Sequence, residues 1–244
     1  MTALKGRATR ARDITPPPGL PSFASFAVSY PSEPVPVVEA GERDLITDRM
    51  VPVRREAFAR GRAAAHAALR GIGLDDGPIL SGPNREPLWP DGATGAISHT
   101  AGFGVALVAP TVDTDGVGVD LEELRQTPEL WDHLPRPEER EWLDRLDAAA
   151  REAAIVGLFS AKESVFKAFF PRVGTFFGFE QASLTPASHG FVARLMDGLD
   201  VDYPSERTFE ITCDWFGDLV LTSVVLPKTP GRSHFVDPAT GTAP

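Results

Sequence analysis

The spacing of apolar residues predicts a chain in which helices are interleaved with short strands. Residues 54–70 place Phe58, Ala65 and Leu69 on one helical stripe, with Gly71 and Gly73 as stops. Shorter helices are predicted at 42–50 and 137–146, the second with an acidic first turn. Apolar runs of strand length predict strands at 23–30, 96–99, 103–108 and 117–122, and an antiparallel set at 179–184, 190–196, 208–215 and 219–226.

A further helix is predicted from residue 148 to Pro171, where proline should end it. Its second part, FSAKESVFKAFFP, is apolar around most of its circumference but carries Lys162, Glu163 and Lys167. Glu163 and Lys167 are four residues apart and share a face. A buried helix needs partners for such charges, although a single solvated ion pair on a core helix is the alternative.

Lysine is scarce in this chain, which has four lysines beside twenty arginines. Two of the four lie within one six-residue window, at Lys162 and Lys167. A compact ammonium and a planar guanidinium differ in shape and donor directions, so this choice indicates a site that needs ammonium groups. We therefore expect both lysines to face a solvated cleft.

Two carboxylates are predicted to share one face of a strand. In GVGVDLE at 116–122, the even positions carry Gly118, Asp120 and Glu122, which point to the same side of a strand. Asp120 and Glu122 would lie about 7 Å apart and repel each other, and a hard cation such as Mg²⁺ is the usual remedy. The alternative is an edge strand with a wet face.

Composition limits the classes of function. The chain has 244 residues, a net charge of −10 and one cysteine, Cys213. The charge argues against general nucleic-acid binding, which uses a basic stripe, and a single cysteine can form no intramolecular disulfide. No signal peptide or membrane helix is predicted, and a cytoplasmic location is expected.

A polar break at 110–115 falls near the midpoint and divides the chain into two halves of comparable size. The expected organisation is an N-terminal segment at 1–50 with a partly mobile start, packed on the first half. The rest of the first half would be residues 51–112, and the second half residues 113–227. Residues 228–244 are predicted to be a disordered tail.

Several motifs together resemble the 4'-phosphopantetheinyl transferases, in particular the branch of the enterobactin synthase activator and its actinobacterial relatives. They are GVGVDLE, FSAKESVFKAFFP, RREAFARGRAAAHAAL at 54–69, PILSGPNREPLWPDG at 78–92 and GAISH at 95–99. The resemblance implies an α+β fold of two similar α/β halves related by a pseudo-twofold axis, with the active site in the cleft between them. It also implies transfer of the phosphopantetheine arm of coenzyme A to a serine of an apo acyl, peptidyl or aryl carrier protein, with release of adenosine 3',5'-bisphosphate.

The same resemblance implies roles for individual residues. Asp120, Glu122 and Glu163 would hold Mg²⁺ or Mn²⁺, and Glu163 would also take the serine proton. Lys162 and Lys167 would stabilise the pyrophosphate, and the adenosine end would be held by Arg54, Arg62, Ser98 and His99. The sequence departs from the family pattern at three positions, which include Ala96 in place of a frequent serine and Ser81 in place of a frequent cation. Arg85, in a slot often held by glycine, would supply the missing charge.

Other functions compete with this reading. A metal-dependent phosphodiester hydrolase would also use carboxylates and lysines, but no extra histidine or aspartate motif offers an activated water. A non-catalytic carrier-binding module would tolerate neutralisation of Asp120 or Glu163. A monomer is expected, docking acidic carriers through a local apolar and arginine-bearing patch. The pathway served could be fatty-acid, polyketide, nonribosomal peptide or siderophore synthesis.

Overall fold

The fold is described from a computed structural model, which covers residues 13–74, 77–125, 128–197, 199, 203 and 207–228. The predicted mobile start and disordered tail lie largely outside the described residues. Residue Ile14 is nevertheless buried, at 4% exposure, and its carbonyl accepts a hydrogen bond from the Tyr30 hydroxyl at 3.2 Å. None of the described helices has the length and apolarity needed to cross a membrane.

The first half is a three-stranded antiparallel sheet with one long helix against it. Its strands are β1 (Ser25–Ser29), β4 (Ala93–Thr100) and β5 (Phe103–Pro110), in the order β1-β5-β4. Helix α1 (Pro52–Gly71) packs on this sheet. A separate two-stranded hairpin consists of β2 (Leu80–Ser81) and β3 (Pro87–Leu88), and a short 3-10 helix spans Ala40–Leu45.

The second half is a five-stranded antiparallel sheet with a longer helix. Its strands are β6 (Thr114–Glu123), β7 (Ala182–Ala187), β8 (Gly190–Leu195), β9 (Thr208–Phe216) and β10 (Leu219–Pro227), in the order β6-β10-β9-β8-β7. Helices α2 (Pro128–His133) and α3 (Pro137–Leu143) precede α4 (Ala148–Val173), which packs on β6 and β10. The α+β class expected from the sequence is confirmed, whereas the pseudo-twofold relation stays a prediction.

One hydrophobic core lies between the two sheets. It joins Val105 and Leu107 of β5 to Val119 and Leu121 of β6 and to Leu221 of β10, all fully buried. The odd positions of β6 fill this core, as the alternation of GVGVDLE predicts. The alternative of an edge strand with a wet face is right about the edge and wrong about the face, because β6 is the last strand of its sheet but its residues up to Leu121 are buried.

Some helices and strands begin or end at residues other than those predicted. Pro171 does not end α4, which continues to Val173 and stops at Gly174 with φ 69°. The Gly174 N–H donates to the Phe170 carbonyl, which completes a left-handed C-cap. Residues Phe179–Gln181 form a 3-10 turn instead of the first part of a strand, and the predicted helix at 42–50 is the 3-10 helix Ala40–Leu45.

Glycines let each long helix approach its strand at backbone distance. A Cβ built on Gly118 of β6 would lie 1.8 Å from the Ser164 carbonyl oxygen of α4, and one on Gly116 would lie 2.2 Å from the Ala168 oxygen. In the first half, a Cβ on Gly104 of β5 would lie 2.5 Å from the Arg60 oxygen of α1. The even face of β6 is therefore set directly against α4, beside Glu163.

Gly118→Ala should destabilise the fold strongly, because the added methyl meets a helix backbone that cannot rotate away. We expect a loss of about 3 kcal/mol or more in the free energy of unfolding, at the upper end of overpacking costs. Gly77→Ala is the matched control, since a Cβ there meets nothing within 4 Å. Urea unfolding of both variants checks this, and equal stabilities would contradict the close contact.

Candidate active site

Asp120 is the point at which β4, β6 and α4 meet. Its side chain is 3% exposed, and its Oδ1 accepts hydrogen bonds from Ser98 Oγ at 2.8 Å and from Lys167 Nζ at 2.7 Å. Lys167 Nζ also donates to the Val119 carbonyl at 3.2 Å. One carboxylate thus links the two halves of the chain and fixes the ammonium of Lys167 on the even face of β6.

Glu122 and Glu163 join this cluster electrostatically. Burial, followed by the charge of Asp120, raises the pKa of Glu122 to about 7, and Glu163 contributes to the same shift. The pKa of Glu163 is also raised, mainly by burial, while Lys167 lowers it and Asp120 raises it. Three carboxylates and one ammonium therefore influence one another across β6 and α4, as a shared site requires.

The donor set suits a hard cation, but a closed cage is not preformed. Asp120 Oδ2 is buried without a hydrogen-bond partner, and repulsion from Asp120 disfavours the charged form of Glu122, so a divalent cation would relieve both costs. Within the described residues, however, no three His, Cys, Asp or Glu side chains converge closely enough to hold a metal ion as they stand. Lys167 occupies Asp120 Oδ1, which leaves Oδ2 as the oxygen of Asp120 that could bind a cation.

Two predicted phosphate ligands border this cluster. His99 follows Ser98 at the end of β4, and its pKa is lowered by desolvation and by the cations Lys167 and Arg54. Arg54 is exposed in the first turn of α1. Ser98 was expected to hold a phosphate, but the structure shows its hydroxyl donating to Asp120.

Arg62 and Arg85 lie at the β2–β3 hairpin. Arg62 is 6% exposed, and its Nη2 donates to the Leu80 carbonyl and to Ser81 Oγ, both at 3.4 Å. Ser81, the position where a cation was expected, is therefore a partner of Arg62. Arg85 is exposed in the turn between the strands, at φ 68°, a backbone conformation that favours glycine.

Lys162 is not in the cluster, and the expectation that it faces a solvated cleft is wrong. Its side chain is fully buried beside Glu139 of α3, with 2.8 Å between Nζ and Oε2. The physical reason is the helical period, since residues 162 and 163 point about 100° apart around α4. Glu163 meets β6, and Lys162 consequently points into the packing of α3 and β7.

Sequence reasoning missed two buried carboxylates that organise the surroundings. Glu139, fully buried, was read only as part of an acidic first turn. Glu42, also fully buried, accepts hydrogen bonds from His66 Nε2 at 2.9 Å and from the Ile79 N–H at 2.8 Å. Glu139 stands three residues after the N-cap of α3, where its side chain accepts from the Arg136 N–H, but Arg136 is not a usual N-cap residue, so the local sequence carries no capping-box signal. The local sequence of Glu42 carries no such signal.

Comparison with known proteins matches both halves of the chain. A family model described as the 4'-phosphopantetheinyl transferase N-terminal domain matches residues 41–109, and one described as the 4'-phosphopantetheinyl transferase superfamily matches residues 116–213. The chain is 39% identical over 186 residues to 4'-phosphopantetheinyl transferase Svp of Streptomyces mobaraensis, covering 72% of this chain and 74% of that protein.

Two further relatives also match most of the chain. The 4'-phosphopantetheinyl transferase PptT of Mycobacterium tuberculosis is 34% identical over 210 residues, covering 83% of this chain and 92% of PptT. Enterobactin synthase component D of Salmonella typhi is 35% identical over 176 residues, covering 70% of this chain and 71% of that protein. A crystal structure of a holo-(acyl-carrier-protein) synthase from Bacillus anthracis in complex with CoA (3',5'-ADP) is 21% identical, with a TM-score of 0.37, and covers 48% of this chain and 99% of that chain.

Proposed function

Because the chain belongs to the 4'-phosphopantetheinyl transferase superfamily, we propose that it converts apo carrier proteins to their holo forms with coenzyme A as donor. The serine hydroxyl of the carrier would attack the phosphorus atom that bears pantetheine, and the bond from that phosphorus to the bridging oxygen would break. Adenosine 3',5'-bisphosphate would leave. The observation that supports this proposal is the cluster of Asp120, Glu122, Glu163 and Lys167 where the two halves meet.

Glu163 is the residue suited to accept the serine proton. A general base works best when its pKa lies near the working pH, and burial raises the pKa of Glu163 toward that range. Its position on α4, one turn before Lys167, puts base and ammonium on one face of the helix. Proton removal and stabilisation of phosphate charge would thus occur side by side.

Lys167 is the cation placed to bind the pyrophosphate. Its side chain keeps 22% of its surface exposed, and its ammonium, which donates to Asp120 and to the Val119 carbonyl, has a third N–H for a ligand. Arg54 borders the same cluster and would extend the positive charge toward the adenosine end, while His99, whose pKa is lowered by desolvation, would offer a neutral N–H donor. In a chain of net charge −10, this local set of donors would provide the attraction that an anionic substrate needs.

Asp120, Glu122 and Glu163 are the residues that would hold a divalent cation. A bound Mg²⁺ would supply neutralisation of the pyrophosphate charge. The buried, unpartnered Oδ2 of Asp120 and the raised pKa of Glu122 support this assignment. Lys167 would then move its donor from Asp120 toward the phosphate.

Transfer should be detected as a gain of the phosphopantetheine mass on purified apo carriers incubated with the enzyme, Mg²⁺ and coenzyme A. Carriers of the acyl, peptidyl and aryl types form the panel, because the class served is part of the proposal. Glu163→Gln and Asp120→Asn should each lower kcat/KM at least a hundredfold, since base and charge balance are lost. Gly77→Ala should keep full activity. Turnover of coenzyme A without any carrier would indicate a hydrolase instead.

The apparent affinity for Mg²⁺ should rise with pH from 6 to 8. Glu122, with a pKa of about 7, must lose its proton before it can bind the cation. We expect an increase approaching tenfold per pH unit below pH 7, measured by calorimetry, and a flatter dependence in Glu122→Gln.

Without metal, the same group should make the fold less stable as pH rises. The folded state holds this proton more tightly than the unfolded state, so the free energy of unfolding should fall between pH 4.5 and about 7. A Mg²⁺ affinity that is equal at pH 6 and pH 8 would contradict the assignment of Glu122.

Arg85→Gly should stabilise the fold while weakening coenzyme A binding. The left-handed backbone at Arg85 is strained for any side chain, so glycine should add about 1 kcal/mol to the free energy of unfolding. If Arg85 supplies the cation missing at Ser81, KM for coenzyme A should rise threefold to tenfold with little change in kcat. Asn84→Gly, in the same turn, is the control for glycine itself. A stabilised variant with unchanged KM would leave Arg85 without a role in binding.

A further inference from the structure

We propose that Lys162 is a positioning residue, which sets the rotation of α4 so that Glu163 and Lys167 face β6, and that it makes no contact with the substrate. The inference rests on the proposed function for the reaction that these residues serve. It assigns to the lysine beside the proposed base a role different from the phosphate contact that the resemblance implies.

All the hydrogen-bonding capacity of Lys162 is used inside the protein. Its Nζ lies 2.8 Å from Glu139 Oε2 and donates to the carbonyls of Leu134 at 3.3 Å, Phe179 at 3.0 Å and Ala182 at 3.1 Å. An ammonium has three N–H donors, and four acceptors already surround this one. The side chain is fully buried, so no donor remains for a phosphate and no path leads to one.

Both carboxylate oxygens of Glu139 also accept hydrogen bonds from the backbone. Its Oε1 accepts from the Leu184 N–H of β7 at 2.8 Å, and its Oε2 accepts from the Arg136 N–H at the start of α3 at 2.8 Å. The ion pair therefore ties α4 to three separate pieces of chain, which are the end of α2, the first turn of α3 and the start of β7. Such a connection fixes a helix in rotation as well as in distance.

A second set of contacts holds the opposite side of α4. Ser160 Oγ and Ser164 Oγ lie 2.9 and 2.8 Å from Thr222 Oγ1 of β10, all three side chains being buried. Between these two anchorages the helix is held in an orientation that keeps Glu163 close enough to Asp120 and Glu122 for their charges to interact. Loss of the Lys162 anchor would free α4 to rotate and would misplace the base without touching the substrate.

A buried ion pair is an expensive way to stabilise a protein, since apolar residues of similar volume often serve as well. Its directional hydrogen bonds, by contrast, specify one arrangement of the segments that it joins. That specificity is what a proton acceptor on α4 needs, because small displacements of a catalytic group lower the rate severely.

Amine labelling tests the burial of Lys162 directly. Because the chain has four lysines, each labelled site can be assigned to one residue. Cleavage after Glu163 places Lys162 and Lys167 in separate peptides. With trace acetylation of the native enzyme, we expect Lys162 to react at least tenfold more slowly than Lys167 and Lys228. Coenzyme A should protect Lys167 and leave the rate at Lys162 unchanged. Rapid labelling of Lys162 that coenzyme A suppresses would overturn the proposal, whether or not any carrier is modified.

A mutant cycle separates positioning from phosphate contact. Lys162→Met leaves the Glu139 charge buried alone, and kcat should fall at least tenfold at a temperature where the variant is fully folded, with KM for coenzyme A within threefold. Adding Glu139→Gln removes that charge and keeps one acceptor, but its NH₂ group then faces the backbone N–H of Arg136 or Leu184, so kcat should recover at least threefold over Lys162→Met without reaching the parent value. If kcat stays low in the double variant and KM for coenzyme A is raised, Lys162 is a phosphate ligand. An unchanged kcat in Lys162→Met would show a purely structural residue. Either result would reject the proposal.

Discussion

Contact between the backbones of α4 and β6 is the constraint on which the site depends. Gly118 and Gly116 allow the helix carbonyls of Ser164 and Ala168 to lie against the strand, where any side chain would separate them. This contact brings the carboxylates of β6 next to Glu163 and Lys167. The charged groups of the site therefore owe their proximity to two residues that carry no functional group at all.

Each of the two lysines of α4 is paired with a different buried carboxylate. Lys167 balances Asp120 at the surface of the cluster, while Lys162 balances Glu139 inside the second half. The first pair is partly exposed, with 22% of the Lys167 side chain accessible, whereas the Lys162 ammonium of the second is enclosed by four acceptors. Two lysines five residues apart on one helix thus differ in environment, one being partly exposed and the other fully buried.

The two halves are joined by a hydrogen bond at the site and by a shared hydrophobic core. Ser98 of β4 donates to Asp120 of β6, and the core of Val105, Leu107, Val119 and Leu121 lies directly behind this bond. A site built across such a shared core does not need a flexible hinge. The polar break at 110–115 is accordingly a turn between β5 and β6, in which the Asp113 N–H donates to the Pro110 carbonyl.

The sequence by itself determined the family, the principal helices and strands, and the carboxylates of β6 on one face, because these follow from motifs and from periods of 2 and 3.6 residues. The motifs also predicted one cluster that contains Asp120, Glu122, Glu163 and Lys167. Only the tertiary structure decided that Lys162 is buried, that Ser98 bonds to Asp120, and that Glu42 and Glu139 are internal. A helix as apolar all round as α4 does not reveal which side meets solvent, since that depends on which distant segments pack against it.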